Sequence, residues 1–328
     1  MTARDRSLAV LVAVLWGLNF LAVRVGLDHF PPFFLAALRY LVLAVPVVLF
    51  VPRPGVRLRW LLGYGLGFGV AQFGLLFLAI EQGMPSGLAS VVVQASAPFT
   101  VLLGALLLRE RVTRRQLAGI GLAVVGMAVI AVDRARTAPL LPLVLTVLAA
   151  FGWAVGNLAS RQAKPRYPLR FALWMAVVPP LPLLALSAVM EGPDTGWRAL
   201  GSAFGPGGWP SLVALVYIAV LGSVVGSGIW TALLKRYPAG VVAPFSMLVP
   251  VVGMAGAWLA LHERPTGWAV AGGTAVVAGV LLGTGWLPRF LRGRTGGTAA
   301  PRPRGGGGRT PDSQPAGATG ASQETQRS

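Results

Sequence analysis

The sequence has no cysteine and only two histidines in its 328 residues. That absence excludes disulfide bonds, thiol catalysis and cysteine-ligated metals. Charged residues make up 12% of the chain, whereas a soluble globular protein carries about 25%. No stretch has the G-x-x-x-x-G-K-[ST] form of a phosphate-binding loop, so we do not expect the chain to use nucleotide as an energy source.

Long uncharged apolar runs dominate the sequence instead. The stretches SLAVLVAVLWGLNFLAV and WAVAGGTAVVAGVLLGTGWL contain no charge, and runs of about 18 or more apolar residues are typical of membrane-spanning helices. No small-residue cleavage site follows the first run, so we interpret it as a retained span rather than a signal peptide. The ten predicted spans are 7–27, 32–51, 58–80, 85–108, 115–132, 139–159, 169–190, 210–234, 239–261 and 266–287.

The basic residues predict how these spans are oriented. A net charge of +18 would suggest nucleic-acid binding in a soluble protein, but lysine and arginine in membrane loops mark the cytoplasmic side. Of the 28 basic residues, 22 fall on the side of the N-terminus and six on the other. We therefore expect a multi-pass protein of the plasma or inner membrane with both termini in the cytoplasm and no nucleic-acid partner. Residues 289–328, rich in Arg, Gly and Pro, are predicted to form a disordered cytoplasmic tail.

The second half of the chain repeats the first. LLLRERVTRRQLAGIGLAVVG returns 153 residues later as LALHERPTGWAVAGGTAVVAG, and WGLNFLAVR aligns with WAVGNLASR at an offset of 137. The sequence thus predicts an all-α integral membrane protein of two five-helix repeats, 1–135 and 136–288. Because five is odd, the second repeat is inverted, which places Glu110 at the cytoplasmic face and Glu263 outside. Inverted repeats are typical of alternating-access carriers, although duplication could also build a larger bundle, a channel or a membrane enzyme.

Polar side chains within the spans are the candidates for a substrate site, because they are costly in lipid and usually face the bundle interior. An asparagine both donates and accepts, which suits a zwitterionic or amide-like solute; the alternative is that it only joins neighbouring helices. We expect the Trp-Asn pairs of the first and sixth spans to face each other. The predicted substrate-binding set is Trp16, Asn19, Gln72, Gln94, Trp153, Asn157 and Ser246.

Prolines and one arginine suggest further roles inside the spans. Gln94 and Ser246 each precede a proline by four residues, and a proline there either exposes a carbonyl group beside a cavity or only kinks the helix for packing.

Arg39 lies several residues into the second span. We predict that it forms a structural or gating ion pair with Asp28 or Glu81, and a direct clamp on a substrate carboxylate is the alternative. Glu81 would be the best proton carrier, although uncoupled exchange fits the sequence equally. Trp230, close to Lys235, is expected in an interfacial aromatic belt, and the alternative is that it caps the cavity.

Ten spans, two five-helix copies and the RER…QLAGIGLAVVG ending of the first copy resemble the EamA family of the drug/metabolite transporter superfamily. The resemblance covers both repeats, roughly residues 7–287. The stretches WGLNFLAVRVGL, PPFFLAALRY, LLGYGLGFGVAQFGLLFLAI, GMPSGLASVVVQASAPFTVLLGA and VAPFSMLVPVVG are most similar to the bacterial O-acetylserine/cysteine exporters within that family. The resemblance implies efflux of small amino acids or related metabolites through a central cavity, without ATP hydrolysis or a prosthetic group.

The expected function is secondary export of a small polar metabolite, with the lipid bilayer as the environment and no cofactor. An exporter of drugs or lipid-like solutes with the same fold is one alternative. A membrane-embedded transferase is another, but it would need a clustered nucleophile and base, and none gathers in the sequence. The sequence indicates no oligomeric state, and a monomer is compatible with it.

Overall fold

The computed structural model describes residues 1–205 and 207–283, and every regular element in these ranges is helical. The predicted tail 289–328 and the last residues of the tenth predicted span lie outside the described residues. In chain order the helices are α1 (Ala3–Leu27), α2 (Pro32–Phe50), α3 (Leu58–Glu81), α4 (Ser86–Leu108), α5 (Arg114–Thr137), α6 (Leu141–Ala163), α7 (Pro168–Met190), α8 (Thr195–Ser202), α9 (Trp209–Arg236), α10 (Ala239–Val242, Ala243–Met247 and Leu248–Leu261 in succession) and α11 (Gly267–Gly283).

Within the described residues, eight helices are long and apolar enough to cross a membrane, namely α1 to α7 and α9. The apolar runs of α10 and α11, Phe245–Leu261 and Gly267–Gly283, are shorter. Large apolar side chains project from the bundle, for example Leu181 and Val189, which are 79% and 84% exposed. Such exposure is unfavourable in water but suits lipid. The chain is therefore a multi-pass membrane protein, and its described part is all-helical.

The eight-residue helix α8 lies between the predicted spans 169–190 and 210–234, where the sequence analysis placed no helix. Its Trp197 packs edge-on against Phe34 near the start of α2, with ring centroids 5.0 Å apart. Gly196 lies directly against the same phenyl ring, so a side chain there would clash. The Phe34 ring is buried and Trp197 remains 52% exposed, so the edge-on contact of the two rings is what attaches α8 to α2.

Unusual backbone geometry recurs at the offset of 153 residues. Wide π-helical turns occupy Gly65–Gln72 in α3 and Tyr217–Val225 in α9. The residue after α4, Arg109, and the residue after α10, His262, are both left-handed, with φ of 55° and 56°. Non-glycine residues seldom adopt this conformation, so the agreement reflects matching local structure in both halves of the chain.

Helices α5 and α11 cross at glycines. A Cβ atom at Gly119 would come within 2.5 Å of the Gly279 carbonyl oxygen, and one at Gly126 within 2.5 Å of that of Gly272. The earlier glycine of α5 meets the later glycine of α11 and the reverse, so the two helices are antiparallel. Small residues at such a crossing let backbones approach closely in a membrane.

Two glutamates cap helices that are directly preceded by a proline. Glu263 accepts hydrogen bonds from the backbone N–H groups of Ser86 (3.0 Å) and Gly87 (3.1 Å) at the start of α4. Glu191 does the same for Phe33 (2.7 Å) and Phe34 (3.3 Å) at the start of α2. A carboxylate at a helix N-terminus satisfies free N–H groups and the helix dipole. Both acids therefore have structural roles at helix ends.

Candidate functional site

The π-helical turn of α9 forms one wall of the candidate site. Ser223 donates its hydroxyl to the carbonyl of Ile218, five residues earlier (2.9 Å). The neighbouring carbonyl of Gly222 accepts a hydrogen bond from Trp16 Nε1 on α1 (2.9 Å). Tyr217 in turn donates to the Leu15 carbonyl (3.0 Å). Wide turns of this kind are rare in helices overall, but those that occur are often at functional sites. This one presents polar groups near the middle of α9.

Asn19, one turn after Trp16, lies against the same wall. Its Oδ1 atom is buried without a hydrogen-bond partner in the described structure, and a Cβ atom at Gly222 would come within 2.5 Å of it. The Trp16 indole also contacts Trp230, with ring centroids 5.3 Å apart. Gly226 leaves room for the Trp16 ring to lie directly against α9, and the interfacial position of Trp230 stays a prediction.

Trp153 and Asn157 on α6 contact the first half of the chain. The Trp153 ring meets Phe68 of α3 edge-on, with centroids 5.8 Å apart. Asn157 Nδ2 donates to Thr100 Oγ1 on α4 (3.3 Å). In the described structure these side chains contact α3 and α4, whereas Trp16 contacts α9. The expectation that the two Trp-Asn pairs face each other across the bundle stays a prediction, since among the described residues neither pair contacts the other directly.

Arg39 is buried in the interior of the bundle. It is 6% exposed, and its Nε and Nη2 atoms donate to Ser223 Oγ at 3.2 and 3.0 Å. The guanidinium carbon lies 3.7 Å from the centroid of the Phe73 ring on α3, a cation–π arrangement. Arg39 therefore joins α2, α3 and α9.

The predicted ion pair of Arg39 with Asp28 or Glu81 does not form in this structure. Asp28 pairs with Arg24 at 2.6 Å, and exposed Glu81 accepts a hydrogen bond from Gln82. The physical reason is depth: Asp28 and Glu81 lie at helix ends, while Arg39 sits two turns into α2 and meets the middle of α9.

The two glutamines are among the most buried polar residues. Gln72 ends the π-helical turn of α3, is 4% exposed, and has no partner for Oε1 in the described structure. Gln94 is 7% exposed, and its Nε2 lies 3.7 Å from the sulfur of Met247. Gln94 and Met247 are 153 residues apart in the sequence, so equivalent positions of the two halves meet here.

Gln94 and Ser246 both lie in short 3₁₀ turns, Val93–Ala95 and Ala243–Met247. Pro98 and Pro250 follow four residues later, and neither can donate the i→i−4 hydrogen bond that a regular α-helix requires. The prolines that the sequence singled out therefore coincide with real irregularities in α4 and α10.

Several buried polar atoms of the candidate site have no hydrogen-bond partner within residues 1–205 and 207–283. They are the acceptors Asn19 Oδ1 and Gln72 Oε1, the donor Arg39 Nη1, and the hydroxyl of Tyr40. An unsatisfied buried group costs about 1–3 kcal/mol, which suggests that a solute or water completes the set. Among these residues no group of three or more metal-binding side chains gathers. The arrangement offers hydrogen-bonding groups and one positive charge, which are the groups that a polar solute can pair with.

Comparison with known proteins identifies the family of the chain. The model of the EamA-like transporter family matches twice, at residues 6–132 and 140–284. Proteins named "Probable amino-acid metabolite efflux pump" from Salmonella typhimurium and Escherichia coli are 43% and 42% identical, each over 86% of this chain and 95% of the relative. A "Probable terminal-alkyne amino-acid exporter" from Streptantibioticus cattleyicolor is 30% identical over 83% of this chain and 91% of its own length.

A crystal structure of another protein shares the fold. It superimposes with a TM-score of 0.57 at 20% sequence identity, covering 88% of this chain and 99% of its own. With both halves matched by the family model and relatives above 40% identity along nearly their whole length, the chain belongs to the EamA-like transporter family.

Proposed function

We propose that this transporter exports a small polar metabolite, an amino acid of the cysteine or O-acetylserine type, by alternating access between two inverted repeats. The observation that carries the proposal is the set of unpartnered polar atoms of Asn19, Gln72 and Arg39 near the middle of the bundle. Buried donors and acceptors without partners are costly, and a polar solute would satisfy them during transport.

The repeats are 1–135 and 136–288, with α10 and α11 completing ten spans. The antiparallel crossing of α5 and α11 supports inversion, because these are the corresponding fifth helices of the two copies. The two separate family matches support duplication. Two similar units of opposite orientation give an inward-open packing and an outward-open packing comparable energies, which is what a carrier needs.

The amino-acid substrate is supported by the relatives whose names refer to amino-acid metabolites and to an amino acid. A zwitterion needs acceptors for its ammonium group and a donor or cation for its carboxylate, and the candidate set contains both. The excess of basic residues on one side supports cytoplasmic termini, a cytoplasmic tail 289–328 and location in the inner membrane.

A metabolite-export profile tests this proposal most directly. Bacteria expressing the chain should release more O-acetylserine or cysteine than cells with an empty vector during growth in excess sulfur. The same cells should be challenged with a panel of dyes and amino-acid analogues. Unchanged amino-acid release together with increased dye tolerance would replace the substrate assignment with drug or lipid-like efflux.

Asn19→Ala should lower transport without lowering the amount of protein in the membrane. Its Oδ1 has no partner in the described structure, so the substitution breaks no hydrogen bond of that atom and removes the acceptor that we assign to the solute. Loss of a hydrogen bond to a charged group costs about 1.5–3 kcal/mol, or roughly tenfold or more in apparent affinity. Transport into proteoliposomes at low substrate concentration, normalised to protein content, measures the effect.

Gln82→Ala is the control for this substitution, because Gln82 is an exposed amide at the end of α3, and its transport should be unchanged. Asn157→Ala should lower both transport and stability, since Asn157 bonds to Thr100. Loss of protein in Asn19→Ala, with normal transport per molecule, would assign Asn19 to helix packing instead.

A further inference from the structure

Arg39 is a buried cation that forms no ion pair among the described residues. The ion pairs in residues 1–205 and 207–283 join Arg24 to Asp28, Arg161 to Glu110, and Arg236 to Asp5. Ser223 and the Phe73 ring contact the guanidinium group, but neither carries a negative charge.

The acidic residues of the described structure are all accounted for elsewhere. Glu191 and Glu263 cap helices α2 and α4, Asp133 accepts a hydrogen bond from Thr266, and Glu81 is exposed beside Gln82. Asp194 immediately precedes α8. The positive charge of Arg39 therefore has no carboxylate of the described chain to balance it.

A buried cation without a partner is expensive. Removing one partner of a buried pair typically costs about 3–5 kcal/mol, and ionisable groups within membrane helices usually belong to substrate or ion pathways. The cation–π contact and the serine hydroxyl offset part of this cost. One guanidinium nitrogen, Nη1, still has no partner although it is buried.

Acceptors without partners lie beside the groups that Arg39 contacts. Asn19 Oδ1 lies against Gly222, which precedes the Arg39 partner Ser223. Gln72 directly precedes Phe73, whose ring lies under the guanidinium group. The free donor is Arg39 Nη1, and the free acceptors are Asn19 Oδ1 and Gln72 Oε1. Each acceptor belongs to a residue that is next to an Arg39 contact, either in the structure or in the sequence.

We propose that Arg39 binds the carboxylate of the transported solute through Nη1, while Asn19 and Gln72 accept hydrogen bonds from its ammonium group. The inference rests on the proposed function and deepens it, because it makes the site selective for α-amino acids over the corresponding amines. Arginine suits this task, since its planar fork matches a carboxylate and stays charged when buried. In the absence of solute, Ser223 holds the guanidinium group in position.

A cysteine series tests the assignment. Cysteamine lacks the carboxylate, and N-acetylcysteine lacks the ammonium group. Binding of each compound to the purified full-length protein is measured by thermal stabilisation, and transport by competition with labelled cysteine in proteoliposomes. The wild type should prefer cysteine over cysteamine at least tenfold. Arg39→Gln should abolish that preference, while Arg39→Lys should retain part of it, because it keeps the charge but not the fork.

Ser223→Ala is the matched control. Both Ser223→Ala and Arg39→Gln remove the Arg39–Ser223 hydrogen bonds between α2 and α9, but only Arg39→Gln removes the cation. The proposal expects Ser223→Ala to weaken but not abolish the preference for cysteine, because the cation remains although its hydroxyl partner is lost. Equal behaviour of the two variants, both still preferring cysteine and differing from the wild type only in stability, would overturn it and leave Arg39 a structural residue.

Failure of the proposed function is distinguishable from failure of this assignment. If the wild type moves neither cysteine nor O-acetylserine but is stabilised by pyruvate or another simple carboxylate only when Arg39 is present, the substrate proposal fails and the Arg39 assignment stands. If cysteine is transported with unchanged selectivity by Arg39→Gln, the assignment alone fails. If no carboxylate stabilises the folded wild type, both are overturned.

Discussion

Gly126→Val should prevent accumulation of folded protein, while Gly121→Val, five residues earlier on the same helix, should leave it unchanged. A side chain at position 126 would meet the Gly272 carbonyl at 2.5 Å and the Val276 nitrogen at 2.8 Å. These are backbone atoms of α11, so they can yield only if the whole helix moves. Overpacking of a rigid contact costs about 1–3 kcal/mol, and the lost packing along the α5–α11 crossing adds to that.

The control isolates packing because it keeps the chemistry constant. A Cβ atom at Gly121 has nothing within 4 Å, and both positions lie within the same α-helix, so the change in helix propensity is the same. Fluorescence-detected gel filtration after detergent extraction measures the folded fraction. Equal yields of the two variants would mean that α5 and α11 do not cross at Gly126, and the geometric argument for antiparallel repeats would lose its main support.

Single cysteines at equivalent positions of the two repeats should label from opposite sides of the membrane. The chain has no cysteine of its own, so each substitution gives a unique thiol in an otherwise unaltered protein. Arg111 and Arg264 are exposed, 153 residues apart, and follow α4 and α10. We expect a membrane-impermeant maleimide applied to intact cells to label Arg264→Cys fully and Arg111→Cys only after the cells are opened.

Labelling of both sites from outside would require both repeats to insert in the same sense, and the alternating-access proposal would then fall. Labelling of Arg111→Cys alone would instead preserve inversion but place the termini outside, contrary to the count of basic residues. Arg111 and Arg264 are preferable to the adjacent glutamates, since Glu110 pairs with Arg161 and Glu263 caps α4.

Helix positions were predictable from composition because lipid leaves a chain few other ways to satisfy its backbone. The observed bounds fall within a few residues of the predicted ones in most cases, and the largest difference is α5, which continues to Thr137 instead of ending near residue 132. Apolar character does not define that end, since the last turns of α5 carry Asp133, Arg134 and Arg136. Helix α8 was missed because its stability comes from the ring of Phe34, a contact 163 residues away from Trp197 in sequence.

The polar residues of the candidate site were identifiable, but their partners were not. Asn19, Gln72 and Arg39 stand out in apolar surroundings, and each proves to carry a buried polar atom without a partner in the described structure. The expected ion pair of Arg39 assumed that a cation takes the nearest acid at the end of its span. The sequence does not indicate that Glu191 and Glu263 cap the N-termini of other helices. Nor does it indicate that a wide turn of α9 brings Ser223 to α2.

The wide turns of α3 and α9 also set the rotational phase of everything that follows them. Each such turn holds an additional residue relative to a regular helix, and one residue corresponds to about 100° around the helix axis. A helical wheel drawn through α9 as a uniform helix therefore assigns Trp230 and its neighbours to the wrong side. Deleting one residue from Tyr217–Val225 would restore the regular helical period. The Trp230 ring would then turn away from Trp16, although no other side chain of α9 is changed.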